Sequence, residues 1–100
     1  MRLLPSNPTA MWKFSVPIAN VFELEMPEGA IPLSCGVQKG QAVIWAAVDT
    51  TTEKKERHLF YLRGTGEDLP NLTATRFMGT FQMLGGDLIY HLFDGGPVRE

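Results

Sequence analysis

The chain has 100 residues, 44% of them apolar and 20% charged, and a formal net charge of −2. These figures describe one ordinary globular domain and exclude a second independent core, a disordered chain and a membrane class. They also exclude a general phosphate-backbone binder, because Lys and Arg are scattered rather than clustered.

Residues 1–10 are expected to form a loose tail, since Pro5 and Pro8 remove backbone donors and favour extended chain. The same residues interrupt any signal-peptide core, so the default location is cytoplasmic. Met11 opens the first ordered segment and is a second candidate start. From there the dominant period is two, the mark of strands. Trp12, Phe14 and Val16 alternate with Lys13 and Ser15 until Pro17. Phe22, Leu24 and Met26 alternate with Glu23 and Glu25, and Pro27 with Gly29 then turns the chain.

Ile31, Leu33, Cys35 and Val37 mark the third strand, with Pro32 predicting an edge position because proline cannot donate to a ladder. Lys39–Gly40 reads as a hairpin turn. Ala42–Val48 is apolar throughout, and Arg57–Arg63 nearly so. The intervening loop holds Lys54, Lys55 and Arg57 beside Glu53 and Glu56, a solvated turn rather than a binding patch. Gly64–Thr65–Gly66 ends the fifth strand, and Pro70 limits any helix over Glu67–Leu72 to a turn. Phe77, Gly79, Phe81 and Met83 define a sixth strand and Leu88–Phe93 a seventh, joined at Gly85–Gly86. Residues 95–100 are expected to fray. The pattern predicts one all-β domain over residues 11–94, of about seven short, mainly antiparallel strands in a sandwich or small barrel.

Ala42–Val48, His58–Leu62 and Leu88–Phe93 read as apolar on both faces, whereas a strand in such a fold ordinarily shows one face to water. Either Ala46, Ala47, Tyr and His tolerate a wet face, or a second subunit covers it. The second reading is favoured, with Val43, Trp45, Phe60, Leu62, Ile89 and Phe93 as interface residues.

Chemistry is sparse. Cys35 is the only thiol; alone it excludes an internal disulfide, fits a reducing compartment, and falls on the apolar phase of its strand. The nearest approach to a metal set is His91 with Asp94, with His58 elsewhere and no C-x-x-C or H-E-x-x-H spacing, so neither metal nor cofactor is expected. The carboxylate pairs Glu23–Glu25 and Glu67–Asp68 read as solubilising. Gly64, Thr65 and Gly66 form the only glycine pattern that follows a strand. A tight turn explains it best, and the alternative is a backbone nest for an anion served by Arg63 and Arg76. No catalytic constellation emerges, and the chain is expected not to be an enzyme.

Several segments are shared in order with a known group of proteins: Pro17–Ile18, Met26–Pro27–Glu28–Gly29–Ala30, Val37–Gln38, Trp45–Ala46–Ala47–Val48–Asp49, Gly64–Thr65–Gly66, Met78–Gly79–Thr80–Phe81–Gln82 and His91–Leu92–Phe93. On these the chain resembles a small uncharacterised family encoded by tailed bacteriophages and prophages. Members often carry a histidine just after G-T-G, where this chain has Glu67. The resemblance implies a phage or prophage origin, in the host cytoplasm or on the virion, and supplies no activity and no site residues. The expected function is a self-associating interaction module that binds a host or phage protein, without nucleic acid or membrane. The alternative is a protein that sequesters a small anionic host nucleotide near Gly64–Gly66.

Overall fold

The alternating segments become seven strands: β1 (Ala10–Ser15), β2 (Val21–Pro27), β3 (Ile31–Gln38), β4 (Gln41–Val48), β5 (Lys55–Gly64), β6 (Arg76–Met83) and β7 (Leu88–Pro97). The structure is a computed structural model and describes residues 9–98. The loose segment expected over residues 1–8 lies outside the described residues. All pairings are antiparallel, in a three-stranded sheet ordered β1-β4-β3 and a four-stranded sheet ordered β2-β5-β7-β6. The two sheets pack face to face as a sandwich, which decides between the two predicted architectures. Glu67–Leu72 contains no helix. β3 is an edge strand, as Pro32 implied, and it bulges between Pro32 and Ser34.

Phe60, Met26, Ile44, Leu62 and Leu92 are fully buried between the sheets. Each contributes roughly 1.5–3 kcal/mol relative to exposure. On one flank the sheets are drawn together where β3 meets β6. There a Cβ on Gly79 would lie 3.1 Å from Cys35 Sγ, and Arg76 donates to the Pro32 carbonyl. On the opposite flank β1 and β2 are both terminal strands.

Both expected tails need correction where they are described. Ala10 belongs to β1, and the Thr9 N–H donates to the Val48 carbonyl at 2.9 Å. Gly95–Gly96–Pro97 continues β7 instead of fraying. Gly95 is the extra residue of a bulge, between Asp94 opposite Phe60 and Gly96 opposite Leu59. The glycines that read as chain-end flexibility are there for a bulge and a close approach: a Cβ on Gly95 would lie 3.2 Å from the Leu59 carbonyl oxygen.

The doubly apolar strands are covered by the chain itself. The outer face of β4 carries Val43 and Trp45; Trp45 lies over Gly36, its ring 3.2 Å from where a Cβ would be. Lys13 on β1 donates to Gln38 on β3, bridging β4 between them. On the other sheet, Phe93 packs on Phe77 with ring centroids 5.4 Å apart, and Leu69 from the β5–β6 loop reaches the same pocket. Val43, Phe60, Leu62 and Phe93 are therefore internal residues, which corrects their placement at a subunit interface. Trp45 is half-buried, and only Ile89 of the six remains exposed.

Candidate functional site

A polar cluster interrupts the core at the β3–β6 flank. His58 follows the inward phase of Phe60 and Leu62 and is 2% exposed, the one buried polar or charged residue among those described. Its Nε2–H donates to Asp94 Oδ1 at 2.6 Å. The Gly96 N–H donates to the same oxygen at 2.8 Å, and Arg76 Nη2 reaches Asp94 Oδ2 at 3.2 Å. The bulge at Gly95 is what folds Gly96 back onto Asp94. Arg76 in turn donates to the Pro32 carbonyl, so one chain of polar contacts runs from β5 through β7 and β6 to β3.

Burial raises the Asp94 pKa, but the His58 hydrogen bond, the His58 charge, the Gly96 N–H and Arg76 outweigh it and hold the carboxyl below its ordinary value. The ionised carboxylate only accepts, so Nε2 of His58 carries the proton. Nδ1 is then left buried, with no partner among the described residues. A cavity of about 300 Å3 opens beside the cluster, lined by Ala30, Ile31, Pro32, His58, Arg76, Asp94, Gly96 and Pro97. A histidine held by a carboxylate suggests a catalytic dyad, but no hydroxyl or thiol among the described residues lines the cavity. The ring nitrogen opposite the carboxylate, the one such a dyad would use, has no access to solvent.

The sequence placed His91, not His58, with Asp94; the structure reverses this. In the β7 ladder His91 and Asp94 face opposite sides of the sheet. His91 lies between two hydroxyls, Nε2 at 2.8 Å from Thr65 Oγ1 and Nδ1 at 2.8 Å from Thr80 Oγ1. Among the described residues both ring nitrogens of His91 meet hydroxyls, and neither meets a carboxylate that would orient it as a base. Among the described residues no group of three or more His, Cys, Asp or Glu is placed to hold a metal ion. No helix among them is long and apolar enough to cross a membrane.

At Gly64, Thr65 and Gly66 the first N–H of the expected anion nest is taken by the protein's own acid. The Gly64 N–H donates to Glu67 Oε1, and the Glu67 N–H to the Gly64 carbonyl at 3.1 Å. Glu67 thus closes the turn rather than merely solubilising it. With Asp87 it also makes the adjoining cleft acidic, which repels an anionic ligand. The two arginines assigned to the nest are not together. Arg63 donates to the carbonyls of Asp68 and Asn20, each at 2.7 Å, and Arg76 belongs to the His58 cluster. Cys35 is half-buried, and burial pushes its thiol up, which suits packing rather than nucleophilic attack.

The chain matches the domain of unknown function DUF7352 over residues 8–99 and belongs to that family. No curated protein and no solved structure matches it.

Proposed function

With a family of no assigned activity as the premise, we propose that the chain is a non-enzymatic binding module. It self-associates and engages a host or phage protein, in the tailed-phage or prophage setting that the sequence resemblance implies. The observation that supports this reading is the flank formed by β1 and β2. Each is the last strand of its sheet, so among the described residues each presents an unpaired backbone edge. Met11, Trp12, Ile18 and Val21, all exposed, lie on these strands and their connection.

Ala10 and Phe14 pack onto the core, while Trp12, on the same face between them, is 41% exposed. The two open edges, with Trp12 beside them on the inward face and Met11 and Val21 on the two outer faces, offer sites for strand addition with apolar contact. The β6–β7 hairpin also exposes Leu84, Leu88 and Ile89, but β6 turns its other side to β3 and offers no comparable open edge. Nucleotide sequestration is not carried forward, because Glu67 takes the Gly64 N–H and, with Asp87, makes the adjoining cleft acidic.

Size-exclusion chromatography with light scattering tests the proposal. The native chain is expected to be larger than a monomer at high micromolar concentration. Trp12→Glu should return it to a monomer, and Ile89→Ser should leave it assembled. A native monomer throughout would refute self-association, and dissociation by Ile89→Ser alone would refute the assigned flank.

A further inference from the structure

The cavity at the β3–β6 flank combines an apolar wall with a cation whose hydrogen-bonding capacity is only partly used. Ile31, Pro32 and Pro97 supply the wall and Arg76 the cation. Arg76 Nη2 serves both Asp94 Oδ2 and the Pro32 carbonyl, which fixes the guanidinium at the cavity. Its Nε and Nη1 make no hydrogen bond among the described residues, and the side chain is 51% exposed. Among the described residues Asp94 is the only acid lining the cavity, and it is already engaged by His58, Gly96 and Arg76. The unused donors of Arg76 therefore face a space where the described residues place no further carboxylate to receive them.

We propose that this cavity binds a carboxylate carried on a short apolar stem, the carboxylate on Arg76 and the stem against Ile31, Pro32 and Pro97. A fixed planar guanidinium suits a carboxylate. The volume of about 300 Å3 is at the lower end of ligand pockets, which run from roughly 300 to 1,000 Å3, so the stem is short. The site lies on the flank opposite β1 and β2 and stands independently of the self-association proposed above.

Two sources present this chemistry: a free short-chain carboxylic acid, and the C-terminal residue of a protein when that residue is apolar. Titration of the isotope-labelled native chain, followed by amide NMR, distinguishes them. The probes are hexanoate, hexylamine, hexanol, and a leucine-terminated peptide with a free or an amidated C-terminus.

Saturable shifts at Ile31, Arg76 and Gly96 are expected with hexanoate or the free-acid peptide. The amine, the alcohol and the amidated peptide should give none. Binding by hexanoate assigns the free acid, and binding by the free-acid peptide alone assigns a protein terminus. Arg76→Lys should weaken binding about tenfold, because one ammonium replaces the planar fork. Ile31→Trp should block the cavity without touching the polar cluster, and keeps the test valid if the Arg76 variant is unstable. No saturable shift with either carboxylate, equal shifts with hexylamine, or undiminished binding in Ile31→Trp would overturn the proposal.

Discussion

Asp94 has a mostly buried carboxylate that accepts from His58, Gly96 and Arg76, which makes it the residue whose chemistry is most exposed to test. Asp94→Asn replaces the carboxylate with an amide that holds His58 less strongly. It should cost about 1.5–3 kcal/mol, the usual worth of a hydrogen bond to a charged group, read by urea unfolding at neutral pH. The acid limb follows from the direction of the Asp94 shift. A carboxyl whose folded pKa lies below its unfolded value binds fewer protons when folded. Its stabilisation is complete above the unfolded pKa, near ~4, and is lost as pH falls through the lower folded value. The native chain should therefore lose stability in that window, and Asp94→Asn should lose less over the same range. An identical acid limb in the two proteins would remove Asp94 from the account. At this scale the sequence was half legible. The phase of His58 with Phe60 and Leu62, and of Asp94 with Leu92, marks two polar residues pointing inward. That they meet depends on β5 lying beside β7, which no local pattern records.

The hairpin between β3 and β4 shows how far an element can be read from its turn. Gln38 pairs with Gln41, so Lys39 and Gly40 are a two-residue loop, and both have positive φ, at 51° and 76°. That is the turn whose twist matches the flanking strands, and Asn suits its first position better than Lys. Lys39→Asn should stabilise the protein by about 0.5–1 kcal/mol, seen as a higher urea midpoint with an unchanged slope. The contact between β6 and β3 is the contrary case. Gly79 sits at φ 153° with Cys35 Sγ 3.1 Å from the position of a Cβ, yet in the sequence it reads only as one of the alternating positions of the sixth strand. Gly79→Ala should destabilise the native protein, and less so in a Cys35→Ala background. A coupling of about 0.5–2 kcal/mol in the double-mutant cycle is expected; strict additivity would mean the two strands do not touch there. The Gly95 bulge was misread for a related reason. A glycine that permits a close approach looks the same in sequence as one that ends a strand.

For the whole molecule, the strand number, antiparallel pairing and edge position of β3 followed from alternation, turn residues and Pro32. The sandwich and its strand order did not, because both depend on contacts between segments far apart in the chain. Of the doubly apolar strands, Val43 and Phe93 are buried on their outer faces, Trp45 is half-buried and Ile89 is exposed. Part of the cover is local: Trp45 lies over Gly36 on one outer face, and Phe77 and Leu69, themselves 55% and 63% exposed, pack around Phe93 on the other. The flank where β1 and β2 end their sheets beside Trp12 is a different surface, and it joins exposed apolar side chains to two sheet ends. Hydrogen exchange of the native chain, measured at low and at high micromolar concentration, probes that surface most directly. Amide protection in β1 and β2 should rise with concentration, while β6 and β7 stay unchanged. Protection that is independent of concentration everywhere, or that rises only around Ile89, would contradict self-association through this flank.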